Sequence, residues 1–247
     1  MTEADPGVTV LHRDAHLLVL HKPAWLPTTA PDDGPCLVTE ARGLDPDAPR
    51  VHPTSRLDSE TTGVVIFART RRATRALLAA RKQGQYRRVN VALAAGNPPD
   101  AAGTWTWGIA RDRRDPRRRV AVDEGHRRDD VQHASSEYRV AGRLPSACVL
   151  HVWPGTGRTH QIRVHAARAG VPLLGDVYYR GPRRRVLDDG TVVTARRVML
   201  HCAAVGVPHP VDGRSMRFHA AVPADLRNLW HGLGGGDGPL EPRLEEA

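Results

Sequence analysis

The stretch TSRLDSETTGVVIFART, residues 54–70, decides how the rest of the chain is read. Its second half, Gly63 to Ala68, is a β-branched apolar run too short for a helix, which predicts a strand. Its first half places Arg56, Leu57 and Asp58 in a loop that follows Pro53. A carboxylate there either ends a loop or is held for chemistry, and the flanking sequence must decide between the two.

Upstream, VTVLHRDAHLLVLH (8–21) predicts two short strands joined at Arg13 and Asp14. KPAWLPTTAPDDGP (22–35) follows. Prolines at 23, 27, 31 and 35 forbid a regular ladder, so Lys22 and Trp25 stand on irregular backbone of the kind that often carries function. A structural turn with a packed Trp25 is the plain alternative.

Downstream, residues 71–81 predict an amphipathic helix, with Ala73, Leu77, Leu78 and Ala80 on one side and Arg72, Arg75, Arg81 and Lys82 on the other. Its basic face has a plain reading as a solvated surface. Residues 88–96, RVNVALAAG, return to strand. Between 97 and 135 the composition shifts to turn-rich and then charge-clustered sequence. This is either a disordered insertion or a β-hairpin module (TWTWGIA, RVAV, ASSEYRVAGR) with basic loops. Strand-like segments recurring every ten or so residues favour the second. No internal repeat is visible. One catalytic domain over 1–230 is expected, with 231–247 as a loose tail.

Composition narrows the partners. The 247 residues include 36 basic against 27 acidic, a formal charge of +9 with a pI near 10.4. That excess favours a polyanion, and nucleic acid is the leading candidate. Arginine carries it, since only Lys22 and Lys82 are lysines; this suits bidentate phosphate recognition, but a genome bias toward Arg gives the same composition. Cys36, Cys148 and Cys202 are too scattered for a metal set and too odd in number for a disulfide framework, so a reducing compartment is expected. The start has no signal-peptide pattern, and no apolar run approaches the ~18 residues of a membrane span. A cytoplasmic, monomeric protein with no membrane association is the expectation.

A second informative stretch is WPGTGRTHQIRVHAARAGVPLLGDVYY, residues 153–179. Gly155 and Gly157 permit a tight turn. The polar alternation that follows predicts a strand leading into a helix over His165–Ala169, with Arg163 near the junction. Burying Arg158, Thr159, His160, Gln161 and Arg163 together requires partners. An acidic one is implied, and Asp58 is available. His160, His165, His201 and His209 lack the spacing of a zinc set, so no metal is expected. Ser55 and Ser146 lack a nucleophile-elbow context, which argues against a serine hydrolase.

Six segments in order resemble the RluA-type pseudouridine synthases: VLHRDAHLLVLHKPAWLP, SRLDSETTGVVIFA, RDRRDPRRRVAV, TGRTHQIRVH, PLLGDVYY and MLHCAAVGVPHP. The likeness covers about residues 8–222. It implies an α+β (mixed α/β) fold with a largely antiparallel sheet and a central active-site cleft. It also implies conversion of a uridine in RNA to pseudouridine without a cofactor. By position, Asp58 resembles the essential aspartate and Arg163 the cation that keeps it ionised. Arg56 stands where the family places a side chain near the extruded nucleotide. Leu57, Arg158, His160, Gln161, Ile162 and Leu200 are carried over as substrate-binding positions. A buried Asp58 and Arg163 pair that only braces the fold is the structural alternative.

The chain departs from the family pattern at three places. Ser55 replaces a His and Thr62 a Ser. Asn90 stands where the family has its active-site tyrosine, and an amide supplies neither a stacking face nor a phenol. Tyr86, four residues earlier, faces the same side if 86–90 is strand. The expected substrate is a stem-loop of ribosomal or transfer RNA, recognised by the catalytic domain alone, since no RNA-binding domain precedes Val8. A catalytically silent RNA-binding protein on the same scaffold is the rival reading, motivated by Asn90.

Overall fold

The apolar run that opened the sequence reading becomes β4 (Thr62–Ala68), and every residue in it is buried. The coordinates are a computed structural model that describes residues 7–31, 34–123, 125–126, 128–242 and 244. The described chain forms two compact units, one built from residues up to 89 with 201–223, the other mainly from 90–200 with 224–242. Residues 224–242, which include most of the segment expected as a tail, belong to the second unit.

In the first unit β1 (Thr9–Arg13) and β2 (Leu17–Lys22) form a hairpin, as predicted, and β2 pairs antiparallel with β4 from Leu17 against Ala68 to Lys22 against Gly63. Helix α1 (Leu37–Leu44) and the two-residue β3 (His52–Pro53) lie between them in sequence. Helix α2 (Arg71–Lys82) is the predicted amphipathic helix. Thr70 caps it by accepting from the Ala73 amide at 3.0 Å, a bond whose loss costs about 1 kcal/mol. Leu78, expected on the apolar side, is exposed instead, and Thr74 takes a buried place beside Ala73, Leu77 and Ala80.

After α2 the chain enters β5 (Arg87–Ala95), which carries it from the first unit into the second. The second unit continues with β6 (Ala102–Trp105), β7 (Gly108–Arg111), β8 (Arg119–Val122), β9 (Ser136–Leu144) and β10 (Ala147–Pro154). β10 pairs antiparallel with β5 and β9, and β6 adds to β9. β7 and β8 form a separate hairpin. The hairpin reading of 97–135 thus holds over a disordered insertion; Glu124 and Arg127 lie outside the described residues. Helix α3 (Gln161–Arg168) covers this sheet, burying Ile162 and Ala166 against Ala92, Leu150 and Leu200. A fully buried leucine such as Leu150 contributes roughly 1.5–3 kcal/mol.

A small ribbon, β11 (Arg184–Val186) with β12 (Val192–Thr194), precedes β13 (Leu200–Pro208), which returns the chain to the first unit. There β13 pairs parallel with β4 and antiparallel with β14 (Ser215–His219). The sheet is largely antiparallel, and the α+β class expected from the sequence is the one observed. Helix α4 (Ala224–Gly232) follows in the second unit. Beyond it the chain folds back rather than trailing off: the indole Nε1 of Trp230 donates to the Gly236 carbonyl at 2.8 Å, and Leu240 is fully buried. Arg243 and residues 245–247 lie outside the described residues. Among the described residues no helix is long and apolar enough to cross a membrane.

Candidate active site

Asp58 sits on a loop tied down on both sides. On its N-terminal side, the Leu57 amide donates to the Thr28 hydroxyl at 3.0 Å, and that hydroxyl donates to the Leu57 carbonyl at 2.9 Å. On its C-terminal side, the ammonium of Lys22 donates to the Ser59 carbonyl at 3.0 Å. The Asp58 carbonyl closes a turn by accepting from the Thr61 amide at 3.0 Å. Arg56 is exposed, while Leu57 and Asp58 are half-buried. The loop therefore holds a carboxylate partly out of water and puts a long cation beside it in solvent.

Both ends of this loop are anchored in the core of the first unit. Before it, Thr54 donates through its amide and its hydroxyl to the Ile66 carbonyl, each at 2.9 Å. After it, the Thr62 hydroxyl meets Nδ1 of His201 at 2.8 Å. Gly63 has φ of 123°, and a Cβ there would run into the Cys202 carbonyl on β13. Only bare backbone permits that approach.

Tyr86, the expected substitute for the family tyrosine, is a core residue. It packs with Val64, Ile66 and Leu77, and its hydroxyl donates to the Ser55 hydroxyl at 3.1 Å and meets that of Thr54 at 3.1 Å. Burial pushes its phenol pKa up, outweighing those hydrogen bonds. A phenol held neutral in this way is a poor proton acceptor. Tyr86 also falls one residue before β5, not within it. Asn90 is buried too, and its amide nitrogen donates to the Val152 carbonyl of the neighbouring strand at 3.2 Å.

In the second unit the predicted strand from 158 is instead a turn, and α3 starts at Gln161 rather than His165. His160 caps the helix in the left-handed conformation, φ 58°. Gln161 stabilises the turn: its carbonyl oxygen accepts from the Thr156 hydroxyl at 2.6 Å and the Arg158 amide at 3.0 Å, while its nitrogen donates to Ser135 and Ser136. Arg158 is exposed and donates to the His133 carbonyl. Ile162 and Leu200 are core residues with 7% and 5% exposure. Of the substrate-binding positions carried over in this unit, Arg158 and His160 present the most accessible polar groups.

Arg163 lies in the first turn of α3, 5% exposed. Asp176 grips its Nε at 2.7 Å and its Nη2 at 2.8 Å, and the guanidinium stacks 5.2 Å from the Tyr179 ring and 5.8 Å from that of Tyr178. A side-on carboxylate grip of this sort fixes the plane of the guanidinium and aims its Nη1 end. The Tyr179 hydroxyl also meets Nδ1 of His160 at 2.8 Å and accepts from the Arg119 amide at 2.9 Å. Arg117 lies over Tyr178 and Arg118 over Tyr179, which brings the arginine-rich β7 to β8 loop to the same aromatic pair.

The sequence implies an acidic partner for this polar cluster and offers Asp58; the carboxylate that grips Arg163 at Nε and Nη2 is Asp176, which lies in GDVYY, one of the segments that carry the resemblance. The four histidines weighed as metal ligands are engaged elsewhere: His160 with the Tyr179 hydroxyl, His165 with Ser136 and the Trp107 carbonyl, His201 with Thr62 and the Ala220 carbonyl, and His209 with Asp14 and Asp212. Among the described residues no three His, Cys, Asp or Glu side chains converge as a metal set.

Comparison with known proteins shows the family. A family model described as RNA pseudouridylate synthase matches residues 16–168. Ribosomal large subunit pseudouridine synthase D of Xanthomonas campestris pv. campestris is 38% identical over 245 residues, covering 93% of this chain and 70% of that protein. The dual-specificity RNA pseudouridine synthase RluA of Escherichia coli (strain K12) is 32% identical over 229 residues, covering 90% of this chain and 95% of its own length. An uncharacterized RNA pseudouridine synthase of Chloroflexus aurantiacus is 38% identical over 172 residues, and the match spans only 50% of that protein. The fold of human RNA pseudouridylate synthase domain containing 4 superposes with a TM-score of 0.72 at 22% identity, covering 91% of this chain and 92% of that one. The chain therefore belongs to the RNA pseudouridylate synthase family and is an isomerase of that class.

Proposed function

We propose that the enzyme isomerises a specific uridine in a stem-loop of ribosomal or transfer RNA, with Asp58 as the catalytic carboxylate. The observation that carries this reading is the double anchoring of the Asp58 loop through Leu57 and Ser59. A loop that only joined two strands would not need a hydrogen-bonded clamp on each side of one carboxylate. In the reaction the N-glycosidic bond breaks, the base turns, and carbon 5 joins the sugar; carbon 5 then loses its proton and the freed N1 ends carrying one, so that the product is an isomer of the substrate. A carboxylate held in place can stabilise the departing sugar or base covalently or electrostatically. Exposed Arg56 is assigned to the extruded nucleotide, because the glycosidic bond is out of reach inside a stacked helix. Arg163 is assigned as the cation of the reaction, and its fixed guanidinium plane supports that role. No cofactor enters this chemistry. The reading also takes the enzyme as a monomer acting in the cytoplasm.

The rival is a catalytically silent RNA-binding protein. It is favoured by the buried, strand-bonded amide of Asn90 and by the neutral, core-packed phenol of Tyr86, which leave the family's tyrosine without an obvious replacement. Mapping pseudouridine by carbodiimide-dependent reverse-transcription stops in cells with and without the gene separates the two. Loss of a discrete site, restored by wild type and not by Asp58→Ala, supports the enzyme. No changed site despite confirmed expression supports the silent binder.

A further inference from the structure

The Pro-rich loop that holds Asp58 in place also displays Trp25 in an unusual way. Trp25 is 60% exposed and is the only aromatic among the large apolar side chains exposed in the described chain. Its φ is 65°, in the left-handed region where a bulky side chain is an outlier. The expected alternative, a packed Trp that steadies the turn, is not what the structure shows.

The loop around it explains the display. Lys22 is fully buried, and its ammonium draws in the carbonyls of Pro23 at 2.8 Å and Leu26 at 2.7 Å. With the backbone pulled inward on both sides, residues 24 and 25 form the crest of a turn, and the left-handed twist turns the indole outward. The next residues are fixed as well: the Pro27 carbonyl accepts from Leu37 and that of Thr28 from Val38, at the start of α1. The same Lys22 and Thr28 bond Ser59 and Leu57, so the loop that carries Trp25 is locked to both neighbours of Asp58.

Strained backbone that the surroundings over-determine concentrates where a ligand is held. An indole kept in water on a rigid mount next to a catalytic loop offers a flat apolar face at little entropic cost. Single-stranded nucleotides supply a matching face, since every base has one and bases splayed from a stem are recognised by stacking on aromatic side chains. We infer that Trp25 is a stacking platform for an unpaired nucleobase beside the uridine acted on at Asp58. This deepens the function proposed above and rests on it. It makes Trp25 a substrate-binding residue that selects RNA whose target is flanked by an unstacked base.

The test uses the full-length enzyme, total RNA from cells lacking the gene as substrate, and a ten-residue oligouridylate as the binding probe. Trp25→Gly suits the left-handed backbone, so it removes the platform without straining the turn. Trp25→Phe keeps an aromatic face. Trp25→Gly is expected to raise KM for RNA and Kd for the oligouridylate about tenfold, with Trp25→Phe close to wild type. Part of the tryptophan fluorescence quenched by the oligouridylate in wild type should vanish in both variants. Unchanged KM, Kd and quenching in Trp25→Gly, with pseudouridine still formed, would overturn the stacking role and leave the proposed function standing. If wild type forms no pseudouridine in any RNA, the proposed function fails, and the oligouridylate titration alone then decides Trp25.

Discussion

The Lys22 ammonium and the Ser59 carbonyl, 3.0 Å apart, join the end of a buried strand to the residue after Asp58. The same ammonium satisfies the carbonyls of Pro23 and Leu26. Lys22→Met keeps the stem and removes the donor, leaving three carbonyls short of a partner. A destabilisation of about 2–3 kcal/mol is expected, read by urea unfolding. Pseudouridine formation should fall as well, because the turn after Asp58 loses its anchor. An unchanged urea midpoint would show that water or a neighbouring group replaces the ammonium without loss.

Tyr86→Phe tests the hydroxyl that bonds Ser55 and Thr54 at the head of the Asp58 loop. A loss of about 1 kcal/mol is expected at neutral pH. Burial raises the phenol pKa in the folded state above its ordinary value of 10.0. The unfolded chain therefore loses the proton first as pH rises. The contribution of this group is full below that ordinary value and declines as pH climbs from there toward the folded pKa. Unfolding curves at alkaline pH should be less pH-dependent in Tyr86→Phe than in wild type. Equal alkaline slopes would contradict the assignment.

Asp14 predicts the opposite limb. Burial alone would raise its pKa, but hydrogen bonds from His12 and from the amides of His16 and Leu17 outweigh it and bring the carboxyl from 3.8 to about 2. The stabilisation is complete above the unfolded value and is lost as pH falls from about 4 toward 2. Asp14→Asn should flatten the acid limb of stability in that window. Thermal melts across it would read the effect, and an unaltered limb would sink the claim.

Asp176→Asn breaks the grip on Arg163 while keeping size. Arg163 and Asp176 have side-chain exposures of 6% and 0%, so the variant leaves a buried guanidinium without its bidentate carboxylate. A loss of about 3 kcal/mol is expected by denaturant unfolding. Pseudouridine formation should drop by more than the unfolded fraction explains, since the guanidinium plane is no longer set. Activity that simply tracks the folded fraction would assign Asp176 to stability alone.

Much of the fold could be read locally. The β1 to β2 hairpin, β4, α2 and β5 each carry their own periodicity, and the strands of 102–144 announced themselves by regular spacing. The start of α3 did not, because its cap is a left-handed histidine instead of a Ser, Thr, Asp or Asn, and because the side chain that satisfies the turn, Gln161, lies inside the helix. Arg56 and Asp58 were visible as a sequence pattern. What holds their loop was not, because Lys22 and Thr28 act on main-chain carbonyls and amides up to 37 residues away, and such bonds leave no mark on residue type. The four prolines mark irregular backbone around Trp25, yet its exposure depends on where two carbonyls point.

The parallel pairing of β4 with β13 joins Thr62 to His201 across 139 residues. During synthesis, β3 can cover Phe67 and Ala68 at once, but the Thr62 and Gly63 end of the all-buried β4 must wait for β13 until those residues have been made. At roughly 5–20 residues per second, that interval is on the order of ten seconds or more. For that time the nascent chain carries an apolar strand whose first residues lack their strand partner, a short stretch of the kind of edge that recruits other chains. Most of the second unit is made within the same interval. Its yield in a cell should therefore depend on translation speed and on chaperones that shelter a waiting strand, as well as on the stability of the finished enzyme.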